Sequence, residues 1–266
     1  MPLMFLSLLA IAAIVQPEPA LSPTLGDAQR LFYNARYGEA SAAALSLRPS
    51  ETPGSDAELA NLELRTSSLH FQIKNAMPKT GDKDKALKQC EPCAGLMTAF
   101  LVDLARGQTV ARARVAANPL DDTALFFLGK INLNFVWLQL GTLGRKTGWD
   151  QYWEARKSLD ILLKRNPEHI RARVARAWID YIVDTRMPRG TRWLLGGGNR
   201  KRALAVIRSA ANADADFFVH AEAAFALWDL QVRERNLTEA TELARILTRD
   251  FPENPELASF LKTNAP

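Results

Sequence analysis

From Ser22 onward the chain is an almost unbroken succession of helix patterns, and no run of alternating β-branched residues bounded by hairpin turns interrupts it. The expected class is therefore all-α. Helices are expected over 27–36, 39–47, 56–75, 93–106, 109–117, 121–143, 150–165, 170–185, 200–211, 217–233 and 238–249, with a terminal turn at 256–261. Their ends are punctuated by Asn-Pro at 118–119 and 166–167, by Phe251-Pro252 and by Asn254-Pro255. The residue before a proline is pushed out of the α region, so a helix stops there.

The first fifteen residues, MPLMFLSLLAIAAIV, hold thirteen consecutive apolar or small residues from Leu3 to Val15, followed by the breaker QPEP. A transmembrane helix needs roughly 20 such residues, whereas a secretory h-region is shorter. A signal peptide or N-terminal hydrophobic segment is expected over 1–22, with a single helical domain over 23–266. The location implied is periplasmic or secreted, with no stable membrane span after signal removal. The n-region has no Lys or Arg, and the small-residue pattern Ala10-Ile11-Ala12 lies inside the apolar run, so the cleavage site stays open. The charge balance, 34 Lys and Arg against 29 Asp and Glu, permits an anionic partner without requiring one; nucleic acid is not expected.

Internal repetition is visible in WLQLGTLGRKTGWDQYWEARKSLDILLKRNP, residues 137–167. Trp137, Leu140 and Gly141 open it, and Ala155, Leu159 and Pro167 close it. Between the halves lie two residues more than the pattern asks, which implies a modified turn around RKTGWD. A second copy over 224–252 has Ala224, Leu227 and Trp228 on its first helix and Ala240, Ala244 and Pro252 on its second. Tyr37-Gly38-Glu39-Ala40 echoes both. Two short helices cannot bury their own apolar faces, so small residues at their crossing let successive hairpins share one core. On these residues the chain resembles the tetratricopeptide repeat family, with degenerate copies through most of 28–261. The resemblance implies an α-solenoid whose concave groove binds a protein or peptide partner.

Three segments depart from the repeat: 49–55, 78–85 and the longer MPRGTRWLLGGGN at 187–199. Cys90 and Cys93, the only cysteines, form CEPC at an expected helix start. A helix N-terminus stabilises a thiolate, so a redox dithiol is possible; a structural disulfide is the plainer reading in an exported chain. No second Cys or His pair completes a metal site. Gly196–Gly198 precede a helix capped by Asn199, and with Arg200, Lys201 and Arg202 they can either cradle an anion or form a plain turn.

Arg173, Arg176, Asp180 and Asp184 make a charged stripe on the helix at 170–185, spaced for mutual pairing. The family resemblance adds a sharper expectation, that Arg173 and Arg176 face the groove and hold a ligand carboxylate. Trp137, Trp153 and Trp178 are expected in the core, and Trp149 and Trp193, flanked by glycines and basic residues, at the surface as recognition residues. His70, His169 and His220 show no metal-ligand spacing, and no nucleophile elbow or zincin helix is present. The functional expectation is a non-enzymatic binding or assembly scaffold without a cofactor. Its alternatives are a small-molecule-binding accessory of a solute transporter and a CxxC thiol-disulfide redox protein.

Overall fold

A computed structural model describes residues 23–50 and 52–264; the expected signal segment at 1–22 lies outside the described residues. Twelve α-helices run through these residues: α1 (Leu25–Tyr33), α2 (Tyr37–Leu47), α3 (Asp56–Ala76), α4 (Lys83–Gln89), α5 (Cys93–Ala117), α6 (Asp122–Val136), α7 (Trp149–Arg165), α8 (Ile170–Arg186), α9 (Arg200–Ala211), α10 (Phe217–Arg233), α11 (Leu237–Asp250) and α12 (Pro255–Asn264). No strand occurs among them, and the class is all-α. Many starts follow capping chemistry. Thr24 and Asp27 form a capping box, and Ser55, Asp82, Asp121 and Asn199 each accept a backbone N–H of the first turn.

Four local expectations are corrected. The break near residue 107 does not exist, because α5 runs through it as one 25-residue helix. Gly107 sits where α6 crosses: a Cβ there would stand 2.7 Å from the Ile131 side chain. The segment 78–85 is not all loop, since α4 begins at Lys83 behind the Asp82 cap. The helix expected over 121–143 changes to a π-helical turn at Trp137–Thr142, and Leu143 N–H then reaches back to Leu138 C=O. Gly144 and Gly148, at φ 68° and 90°, finish that modified turn. Finally, Trp153 is 43% exposed rather than core, while Trp137 and Trp178 are half-buried. Tyr152 takes the inward position on α7, and the adjacent residue points roughly 100° away from it.

Apart from α4, across which α3 packs on α5, consecutive helices pack against each other, and α1, α3, α6, α8 and α10 form an inner layer. Within it α1 touches α3, α3 touches α6, and α8 touches α10. Small residues set the crossings. Gly129 of α6 lies so close to α7 that a Cβ would meet Leu159 at 2.8 Å, and Ala40, Ala44, Ala155, Ala172, Ala240 and Ala244 are fully buried. The inner layer closes on itself. Tyr33 at the end of α1 packs on Phe218 and Phe225 of α10 and on Phe251. Asn254 donates to the Tyr33 carbonyl at 2.7 Å, and Arg36 pairs with Glu253 at 2.8 Å. α6 with its π extension is long and apolar enough to cross a membrane, yet 72% of that window is buried by the surrounding helices, so its apolarity serves the core.

Candidate functional site

The inner helices bring four charges to one place. Glu63 of α3, Lys130 of α6, Arg171 of α8 and Glu222 of α10 all carry side chains at most 20% exposed. Lys130 Nζ is 2.7 Å from Glu222 Oε1 and 3.7 Å from Glu63 Oε1. Arg171 donates from Nε to Glu222 at 2.5 Å and from Nη2 to Glu63 at 3.3 Å. Two cations and two carboxylates leave the cluster neutral, as low-dielectric surroundings demand. Burial alone would raise the Glu222 carboxyl, but Arg171 and Lys130 override it and hold the pKa at about 2. Burial works against the Lys130 ammonium, yet Glu222 and Glu63 keep its pKa above the ordinary value.

Arg171 also lies over the Phe126 ring at 4.6 Å, and this stack floors an open cleft of about 420 Å³. The cleft lies among the starts of α6, α8 and α10, with Phe126, Phe127, Ile170 and Val219 as its apolar lining. His169 caps α8 by accepting the Ala172 N–H on Nδ1, and burial lowers its pKa, favouring the neutral ring. The remaining lining charges are acidic. Glu168 is paired with Arg173 at 2.9 Å, whereas the exposed Asp214 and Asp216 have no ion-pair partner among the described residues.

The residues singled out from the sequence fall elsewhere. Arg173 and Arg176 do not line this cleft. Arg173 binds Glu168 and the Ser209 hydroxyl of α9, and Arg176 pairs with Asp160 of α7 and Asp180 at 2.6 Å each. The stripe that looked like a groove surface is the seam between α8 and its neighbours α7 and α9. Arg171, two positions away, occupies the inner face. Arg171 gave no signal of this, being one of several charges in IRARVAR, whereas Lys130 in LFFLGKINL and Glu222 in HAEAAFALW are lone charges among apolar residues. Single charges in apolar helices need partners, but nothing in the sequence names which.

Asn199 does cap α9, accepting from Arg202 N–H at 2.9 Å. The anion at that helix start is the protein's own: Asp184 accepts the Arg200 N–H at 2.8 Å and pairs with Arg192, while the Arg200 side chain lies 3.4 Å from Glu234. Gly198 is required by the approach to α8, where a Cβ would meet the Asp180 carbonyl at 2.6 Å. Trp149 and Trp193 are exposed at 40% and 73%. Cys90 and Cys93 form a disulfide, and both residues are buried. Sulfurs so placed are poorly reached by an attacking thiolate, which lends the redox alternative no support. Among the described residues no group of three or more His, Cys, Asp and Glu is placed to hold a metal. No family model matches the chain, and neither does any curated protein or solved structure.

Proposed function

We propose that the protein is a non-enzymatic binding scaffold of tetratricopeptide type, acting outside the cytoplasm, which docks a partner segment in the cleft at the starts of α6, α8 and α10. The observation that carries this reading is the cleft's combination of an apolar lining, Phe126, Phe127, Ile170 and Val219, with two carboxylates, Asp214 and Asp216, that have no ion-pair partner among the described residues. The preferred segment presents an apolar side chain next to a basic one. This reverses the polarity expected from Arg173 and Arg176, whose charges are already taken up by Glu168, Asp160 and Asp180. Binding energy comes from apolar burial against Phe126 and Val219, and the carboxylates steer and select.

The test compares wild type with Val219→Trp, which fills the cleft, and with Asp214→Lys/Asp216→Lys, which inverts its rim. Crosslinking capture from the extracytoplasmic compartment, read by mass spectrometry, is expected to recover a partner with wild type and to lose it with both variants. A partner retained by both variants binds elsewhere and sinks the cleft reading. The cleft volume also lies in the range of small-molecule sites, so a cationic solute is the second reading. It predicts thermal stabilisation of wild type, and not of Val219→Trp, by low-molecular-weight cations without any captured protein.

A further inference from the structure

Half of the chain's six tryptophans are exposed, and these three lie on α7 and on the 3₁₀ turn that α7 holds by hydrogen bonds. Trp149 and Trp153 are four residues apart on α7 and share a face of it. Tyr152 lies edge-on to both rings, and its hydroxyl donates to the Leu195 carbonyl at 2.7 Å. That bond seats the 3₁₀ turn Arg189–Leu195 against α7, and Arg156 reinforces it by donating to the Gly196 carbonyl at 2.8 Å. The turn presents Trp193 and Leu194, 73% and 53% exposed, immediately before the Leu195 and Gly196 carbonyls that α7 holds. Trp193 is held in a particular way: its indole N–H donates to the Gly190 carbonyl at 3.0 Å. The ring can therefore leave water without orphaning its one polar atom.

The surroundings are mostly cationic, with Asp150, next to Trp149, the exception: it is exposed and has no ion-pair partner among the described residues. Residues 184–202 contain six Arg and Lys against one acid, Asp184, and that acid is engaged by Arg192 and the start of α9. Lys146, Lys157 and Arg186 have no carboxylate partner among the described residues.

We infer that this face docks on an anionic lipid surface, with Trp149, Trp153, Trp193 and Leu194 entering the interfacial zone and Lys146, Lys157 and Arg186 meeting the headgroups. Indole rings favour that zone because they are apolar bodies with a polar edge, and long basic side chains reach headgroups while their stems stay on apolar surface. An acidic protein could match the charge, but it would need a pocket shaped to the four apolar side chains. A lipid surface supplies an anionic plane and apolar depth together. The docking is peripheral and independent of the cleft.

The test is co-sedimentation of the full chain, with tryptophan emission recorded, on vesicles of phosphatidylcholine alone and of an equal phosphatidylcholine–phosphatidylglycerol mixture. The expected result is binding to the mixed vesicles with blue-shifted emission and little to phosphatidylcholine. Trp149→Ser/Trp193→Ser should weaken it at least about tenfold, and Lys146→Glu/Arg186→Glu about tenfold or more, with unfolding midpoints unchanged. Val219→Trp, which fills the cleft, should bind vesicles as wild type does. Equal vesicle binding by wild type and both patch variants would assign membrane affinity to another part of the chain, the first 22 residues included, and overturn the proposal. So would the absence of binding to either vesicle, or a tryptophan variant whose only effect is on the mass of the protein in solution, which would make the patch a contact between copies.

Discussion

Two charged regions of the molecule use their charges in opposite ways. At the centre, Glu63, Lys130, Arg171 and Glu222 satisfy one another across four helices, and losing any one leaves the other three with an unbalanced buried charge. Before α7, on it and at the end of α8, Lys146, Lys157 and Arg186 have no carboxylate partner among the described residues, and α7 and the 3₁₀ turn after α8 expose three tryptophans. The contrast teaches that charge density is a poor guide to a binding surface in this chain. What distinguishes a surface free to bind is the absence of an internal counterion.

The comparison breaks most readily at its inner end. Glu222→Ala is expected to cost about 3–5 kcal/mol in urea unfolding, since Lys130 and Arg171 would share only Glu63 in a buried setting. A loss below about 1 kcal/mol would mean that the cluster behaves as solvated surface.

Acid is the next lever. Burial pushes the His70 pKa down to about 3, with Lys74 acting in the same direction, and its Nε2 lies 2.9 Å from the Thr142 hydroxyl. The folded value lies below the ordinary histidine value of 6.5, so the unfolded chain takes the proton first. Stability is then full above pH 6.5 and falls as pH drops toward 3, by about 1.4 kcal/mol per pH unit for this one group. Glu222 adds a further loss as pH falls from 4.5 toward its folded value of about 2. Unfolding midpoints measured on both sides of pH 6.5 should show the slope, and His70→Gln should flatten its upper part. A midpoint that does not move between pH 7 and 5 would place His70 in contact with solvent.

Smaller effects sharpen the outer end. Cys93→Ser opens a short loop and should cost about 2 kcal/mol in chemical unfolding. Arg173→Ala, which removes a pair with the largely exposed Glu168, should cost about 0.5 kcal/mol by the same measurement. Trp193→Ser should fall within about 0.5 kcal/mol of wild type, because the ring contributes little buried area to the fold. A large loss at Trp193 would show that the turn needs its ring, and the two regions would then differ less than their charges suggest.

Local chemistry carried most of the legible information. Helix ends at 117, 165 and 211, the Asn199 cap and the modified turn at RKTGWD follow from residues adjacent in the chain. Long-range placement was much less legible. Spacing along α8 shows that Arg173, Arg176 and Asp180 share a stripe, but not whether that stripe meets ligand or α7. Trp153 was misplaced because a bulky apolar residue next to a second one leaves open which of the two turns inward. The central cluster joins residues up to 159 positions apart, from Glu63 to Glu222, and no local pattern encodes such a meeting. The same holds for the cleft, whose apolar lining and acidic rim come from three separate helix starts.

The packing of Tyr33 on Phe218, Phe225 and Phe251 bears on how such a chain can change over time. An open array of hairpins tolerates the gain or loss of a unit, because each unit answers only to its neighbours. Here the first helix answers to the tenth, so an inserted or deleted hairpin would displace the aromatic contact that joins the ends. The hairpin number is thereby constrained in the way the staves of a barrel are, and variation is channelled into connections such as 187–199, which can lengthen without disturbing the ring.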